Sequence, residues 1–252
     1  MLFEITNAIC WGVTFFCFYL ILNPNIQIVK NLHISPFKKR RYNARKSHNV
    51  INLLKNMKED KLIRISKSFR NDFDVMIFNF NGSLNVGNVM RLSCIYGAKN
   101  FHIVGRKIYD VRSCVGANKY LNVRILTNMI TDLPDKSCKP IINKSKFKQY
   151  FVNNNLQPIF IEQGGENINN IKFKNIISSN KRQVFVLGNE SYGFDKDVLD
   201  YFSDIKDFKI ISIPQLGMLK SLNVSNSASI VLWEYYKQVL REDDIRYTLD
   251  LK

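Results

Sequence analysis

The chain has 252 residues, of which 46% are hydrophobic and 23% charged. That is room for one large domain plus a sizeable leader, and the balance excludes both disorder throughout and a multi-span membrane protein. Thirty-seven Lys and Arg against 21 Asp and Glu leave a net charge of +16, and residues 1–58 carry nine of the basic residues and a single acid, Glu4. A basic body suits a polyanionic partner, although charge alone does not separate nucleic acid from simple solubility. The five cysteines (Cys10, Cys17, Cys94, Cys114, Cys138) form no C-x-x-C pair, and His33, His48 and His102 have no metal-ligand spacing. Neither a disulfide framework nor a metal site is expected.

The leader comes first. Ala8–Leu22 (AICWGVTFFCFYLIL) is a 15-residue apolar run, short for a spanning helix of about 20 residues and at the upper end of a signal-peptide apolar region, although the flank before it carries Glu4 and no Lys or Arg. From Pro24 to Lys58 the chain is basic, Asn-rich and free of acid, which is the composition of an organelle transit peptide. The two halves together resemble a bipartite targeting leader for a plastid-type organelle or mitochondrion. A membrane anchor, with contact only if 8–22 is retained, an ordinary terminal helix and a cytoplasmic location remain alternatives. The run KKRRYNARK also suits a nucleic-acid-binding arm or a nuclear signal.

Beyond residue 58 the texture changes, and 59–252 reads as one domain. Asp74–Phe80 is a buried strand ended by the turn-formers Asn81-Gly82-Ser83, and Val86, Met90, Cys94 and Gly97 fall at helical spacing. Phe101–Val104, Val123–Leu126, Leu156–Ile161, Val184–Leu187 and Lys209–Ile213 read as further strands, and Lys144–Asn154 as a polar helix. Residues 163–182 read as a polar loop with a marginal helix, and a closing helix runs from about Leu222 to Leu240 with Val224, Ala228, Val231, Tyr235 and Val239 on its apolar side. Strands alternating with helices predict an α/β domain with a mostly parallel sheet and helices on both faces. No repeat appears at periods of 20 to 50 residues.

Three polar, glycine-marked segments sit at predicted strand ends. They are Asn85-Val86-Gly87-Asn88-Val89-Met90-Arg91, Leu187-Gly188-Asn189-Glu190-Ser191-Tyr192-Gly193, and Ile213-Pro214-Gln215-Leu216-Gly217 with Ser221-Leu222-Asn223-Val224-Ser225. Ligands of open α/β sheets collect at the carboxyl ends of strands, where loops converge and helix N-termini point outward. Each segment alone is also ordinary turn or capping chemistry. A dinucleotide-binding enzyme is excluded, because no G-x-G-x-x-G follows the first strand.

NVGNVMRLSCIYGAKNFHIVGR, VFVLGNESYGFDKDVL and ISIPQLGMLKSLNVSNSASIVLWEYY resemble the three motifs of the SpoU family, RNA ribose 2′-O-methyltransferases of the SPOUT class. The resemblance covers about residues 73–240, and GRKIYDVRSCVGANKYL looks like members without an added RNA-binding domain. It implies an α/β fold with a C-terminal trefoil knot, a homodimer, S-adenosyl-L-methionine as cofactor, and tRNA or rRNA as partner. It further implies cofactor contacts from Leu187, Gly188, Asn189, Ile213 and Leu222, and polar active-site positions at Asn85, Arg91, Glu190, Ser221 and Asn223. Two residues depart from the pattern: Ser191 stands where a second glycine is common, and Gln215 where methionine is common.

The chemistry asks for such residues in its own right. A ribose hydroxyl is a poor nucleophile, so it needs a proton acceptor, donors that hold it in line and a site for the neighbouring phosphate. Arg91 suits a bidentate phosphate contact better than the role of base, or it pairs with Glu190 and braces the motif loops. Asn223 and Ser221 suit positioning or helix capping. A catalytically inactive SpoU-like RNA-binding protein or partner subunit is the alternative to an enzyme. Trp233, Tyr235 and Tyr236 are candidate anchors of a dimer interface.

Overall fold

The computed structural model describes residues 49–80, 84–131, 141–177, 180–205 and 207–239. The leader up to His48, the turn at Asn81-Gly82-Ser83 and the predicted helix end at Leu240 lie outside the described residues. Six strands form one sheet in the order β3-β2-β1-β7-β6-β8, and every neighbouring pair is parallel. They are β1 (Phe73–Asn79), β2 (Asn100–Gly105), β3 (Asn122–Leu126), β6 (Leu156–Asn167), β7 (Arg182–Leu187) and β8 (Lys209–Ser212). A two-stranded antiparallel ladder, β4 (Ile130–Thr131) with β5 (Ile141–Ile142), stands apart.

The central strand explains the layering. All seven residues of β1 are buried, as expected of a parallel strand covered on both faces. Phe73, Val75 and Ile77 point to one side, where they meet α2 (Leu84–Ile95) and α6 (Val224–Val239). Met76 and Phe78, together with Phe80 just beyond the strand, point to the other, against α3 (Lys144–Asn153) and α5 (Lys196–Phe202). The predicted apolar side of the closing helix is correct in substance: Ala228, Val231 and Tyr235 are buried, together with Leu232.

Two expectations need correction. The polar stretch after Leu156–Ile161 is not a loop, because β6 continues to Asn167. Its register against β8 slips, so that Ile161 and Glu166 both stand opposite Ile211 and the residues between them bulge outward. Ile168, Ile171 and Phe173 then anchor the segment, with a short helix α4 at Phe173–Ile176. Tyr235 is no interface anchor: it is 3% exposed and packs edge-on against Phe73, Phe173 and Phe185 at 5.0–5.5 Å. Burial there pushes its hydroxyl pKa up to about 12. Trp233 remains 50% exposed and stacks on Tyr236 at 5.7 Å.

Two helices carry too weak a pattern to read from sequence, α1 (Glu59–Ser66) and α5. Of α1 only Leu62 is buried, and of α5 only Val198 and Phe202. Residues 49–58, which composition assigns to the leader, include a 3-10 turn at Asn52–Leu54. Val50, Ile51 and Leu54 line a cavity of about 530 Å³ together with Leu62, Arg91, Cys94 and Leu121. No described helix is long and apolar enough to cross a membrane.

Candidate active site

The carboxyl ends of β1, β7 and β8 bring the three glycine-marked segments together. Asn85, in the first turn of α2, donates from Nδ2 to Glu190 Oε2 at 2.5 Å. Asn223 Nδ2 donates to Glu190 Oε1 at 2.9 Å and to Asn85 Oδ1 at 3.2 Å. Each carboxylate oxygen of Glu190 thus takes one amide hydrogen. Because an ionised carboxylate only accepts, it settles which way both amides face.

Asn223 does two things at once. Its Oδ1 accepts from Ser225 N at 2.9 Å and from Ser225 Oγ at 2.6 Å, which caps the N-terminus of α6. Its Nδ2 is thereby turned toward the cluster. Capping and positioning, alternatives on sequence grounds, are the two ends of one side chain.

The loop between β7 and α5 is shaped by glycine at 188 and 193. A Cβ on Gly188 would sit 3.0 Å from the Gly193 backbone, and Gly193 has φ +58°. Asn189 bridges to Gly193, whose N–H donates to Asn189 O at 2.7 Å, and Asn189 Oδ1 accepts from Ser191 N at 3.1 Å. Ser191 has no positive φ, so serine fits where the family commonly has glycine. The tightness of the turn comes from its neighbours.

Beside the cluster lies a cavity of about 300 Å³. All five positions implied as cofactor contacts line it: Leu187, Gly188, Asn189, Ile213 and Leu222. Glu190, Ser221 and Gln215 line it as well. Its lining combines aliphatic side chains (Ile161, Leu187, Ile213, Leu222), backbone amides on a glycine turn and the charged Glu162, Glu190 and Lys220, which suits a nucleoside carrying a charged substituent. The larger, mostly apolar cavity holds none of the three clustered residues, whereas Glu190 lines the smaller one, which makes the smaller one the candidate site.

Sequence reasoning missed Glu162 and Gln163. Both line the cavity because the β6 bulge turns them out of the ladder. Glu162 Oε2 accepts from Phe194 N at 3.2 Å, and Gln163 Nε2 donates to Lys220 O, so this segment ties the two other loops together. Their signal was present: Glu162-Gln163-Gly164-Gly165 is a fourth polar, glycine-marked segment directly after the apolar run Leu156–Ile161.

Arg91 is not with the cluster. It stands six residues along α2 from Asn85, which at 100° per residue points it to another side of the helix. It is exposed, lines the larger cavity and makes no ion pair with Glu190. The bracing pair is therefore not part of the site among the described residues.

A parallel α/β sheet with a nucleoside-sized cavity at its carboxyl edge defines a class of nucleotide- or cofactor-binding proteins. Residues 72–233 match the SpoU rRNA Methylase family, and the chain belongs to that family. It is similar to a tRNA (cytidine(34)-2′-O)-methyltransferase of Methylovorus glucosotrophus (strain SIP3-4), with 23% identity over 172 residues, 66% of this chain and 95% of the relative. Among solved structures it is similar to the TrmH/SpoU tRNA modifying enzyme of A. aeolicus, with a TM-score of 0.52, 22% identity and coverage of 77% of this chain and 94% of that one. It is also similar to an AdoMet-bound rRNA methyltransferase from Sinorhizobium meliloti, with a TM-score of 0.50, 19% identity and coverage of 71% and 61%. At these identities the solved structures bear on the fold.

Proposed function

We propose that this protein transfers the methyl group of S-adenosylmethionine to a ribose 2′-hydroxyl of RNA, with tRNA as the first substrate to test. The observation that carries the reading is the bonded cluster of Asn85, Glu190 and Asn223. Three segments up to 138 residues apart converge on it beside a nucleoside-sized cavity, within a chain of the SpoU family. The curated relative's name adds the ribose oxygen and the tRNA.

S-adenosylmethionine, when bound, supplies an electrophilic methyl on a sulfonium. Gly188 and Leu187 with Ile213 and Leu222 would hold its nucleoside by shape and amide contacts. Glu190 keeps lone pairs on both oxygens beyond the two amides it accepts, so it is the clustered group able to take a hydroxyl hydrogen bond. Asn85 and Asn223, fixed by that carboxylate and by the α6 cap, orient the hydroxyl without charge of their own. Holding a nucleophile in line contributes more than any single hydrogen bond.

Three further points belong to the same reading. A trefoil knot in the C-terminal segment is supported by the family and by the packing of the 188–194 loop with residues 213–222 around one cavity. A homodimer is supported by the exposed Leu216, Met218 and Leu219, an apolar loop that water does not favour. A targeting role for the leader rests on its composition.

The experiment is methyl transfer from labelled donor to a tRNA pool, followed by alkaline hydrolysis, because a methylated ribose oxygen can no longer attack its phosphate. A resistant, labelled dinucleotide is expected. Donor binding without transfer to any RNA would refute the reading and favour the inactive binding protein.

A further inference from the structure

We propose that the β2–β3 loop is a rigid platform on which single-stranded RNA next to the reacting ribose stacks. This rests on the functional reading above and adds the surface that grips the substrate. The loop runs over residues 106–121, between the carboxyl end of β2 and the start of β3. It exposes Ile108 (72%) and Val111 (57%), two aliphatic side chains that contribute nothing to either core.

An exposed loop with loose apolar residues would mean little if it were mobile. This one is held at several points. Asn79, at the end of β1, donates from Nδ2 to the carbonyls of Arg106 and Ile108, both at 2.8 Å, and accepts from Arg106 N at 2.8 Å. Gly105 has φ +110°, and a Cβ there would collide with Asn79 O, so the approach requires glycine. Ser113 Oγ donates to Asp110 O at 2.6 Å, and Cys114 Sγ to Val111 O at 2.9 Å. The loop also presses on α2, where a Cβ at Gly87 would collide with Ser113 Oγ. Gly87 is about 200° round the helix from Asn85, so the loop packs on the opposite side of α2 from the cluster, and what the two share is the carboxyl edge of neighbouring strands β1 and β2. Held there, it costs little ordering entropy to bind.

Its chemistry favours a nucleic acid with free base faces. Arg106, Lys107 and Arg112 stand against one acid, Asp110. Asp110 is already engaged, since its carboxylate accepts from Arg112 Nε at 3.0 and 3.1 Å and from Nη2 at 2.6 Å. That grip takes the edge of the guanidinium and leaves its plane in solvent, with the side chain 91% exposed. A flat cation held by Asp110 in the same loop as two exposed aliphatic side chains offers a surface for unstacked bases, whereas a paired helix offers only phosphates and groove edges.

The test uses the full chain and two variants, Ile108→Ser/Val111→Ser and Arg112→Lys. The probes are a synthetic RNA stem-loop and a fully paired RNA duplex, followed by fluorescence anisotropy. Calorimetry with S-adenosylmethionine and sedimentation run alongside. Each variant should bind the stem-loop about tenfold more weakly, bind the duplex as the natural chain does, and keep cofactor affinity. Arg112→Lys keeps the charge, so its loss isolates the stacking face. Unchanged stem-loop affinity overturns the proposal, as does an equal loss on the duplex, which would reduce the loop to general electrostatics. A variant that shifts sedimentation toward monomer also overturns it, because the surface would then belong to a second copy. Natural protein that binds the cofactor but neither RNA overturns the functional reading along with it.

Discussion

Replacing Asp74 by Asn should destabilise the protein severely without touching the cavity. Asp74 is fully buried at the amino edge of the sheet, at the opposite end of the strands from the site. Its carboxylate accepts from Asn100 Nδ2 at 2.8 and 3.0 Å, Asn100 N at 3.2 Å and Arg182 Nε at 2.9 Å, and lies 2.9 Å from His102 Nε2. Because the carboxylate only accepts, Nε2 carries the hydrogen, and the other ring nitrogen, Nδ1, lies 3.0 Å from Tyr150 OH. Asparagine would place N–H groups against donors and leave Arg182 and His102 short of an acceptor. Breaking a buried ionic network from one side costs about 3–5 kcal/mol. At roughly 2–4 °C per kcal/mol for a domain this size, Tm should fall by roughly 6–20 °C. Burial pushes the Asp74 carboxyl up, but the hydrogen bond and charge of His102, with Arg182 and Asn100, outweigh it and hold the carboxyl below its usual value. A lowered folded pKa gives stability that is present above the unfolded value, about 3.9, and lost as pH falls through the folded one. Thermal melts from pH 7 down to pH 3 should therefore show a steeper acid limb in the natural protein than in Asp74→Asn. A loss under 1 kcal/mol at pH 7, or parallel acid limbs, would refute the account of the network.

Four shorter predictions concern the site and its frame. Glu190→Gln should lower turnover by about a hundredfold, roughly 3 kcal/mol, because an amide cannot accept both neighbouring N–H groups on two oxygens; single-turnover methyl transfer with cofactor affinity within a few fold would bear this out. Gly193→Ala should weaken S-adenosylmethionine binding, since a left-handed residue costs about 1 kcal/mol and its Cβ would meet Glu162; calorimetry reads it, and unchanged affinity would count against the turn. Arg91→Ala should leave stability within about 0.5 kcal/mol, the side chain being exposed, and turnover within a few fold, because the side chain lines the other cavity; a hundredfold loss of turnover in a folded variant would return Arg91 to the site. Removing residues 1–48 should leave Tm unchanged, and removing 1–58 should lower it by stripping Val50, Ile51 and Leu54 from the larger cavity; equal melts would return residues 49–58 to the leader.

The fold was legible where burial is two-sided or strictly periodic. Seven consecutive buried residues in β1 and an apolar stripe at helical spacing in α6 leave little choice. It was illegible where tertiary contacts overrode a polar sequence. Gln157, fully buried in β6, is satisfied by the carbonyls of Ile176 and Asp207 at 2.8 and 3.0 Å. Nothing local announces those partners. The same holds for the extension of β6 past Ile161, which depends on a register slip against a strand some fifty residues away.

The site shows a sharper division. Glycine-marked strand ends pointed to Asn85, Glu190 and Asn223 because parallel strands of one sheet end on one edge, so polar loops following them must converge. That geometry says nothing of which residue on a helix faces inward. Asn85 and Arg91 belong to one motif, yet only the first turn of α2 reaches the cluster, where Gly87 packs directly against Ser113. The sequence also could not distinguish capping from positioning at Asn223, and in the structure one side chain both caps α6 and donates to Glu190 and Asn85. An N-cap aims its side-chain oxygen into its own helix and so leaves the amide pointing out of the helix start. A helix that begins at the carboxyl edge therefore delivers that amide to Glu190 and Asn85. The residue that starts α6 is held in the cluster by the same side chain that caps the helix.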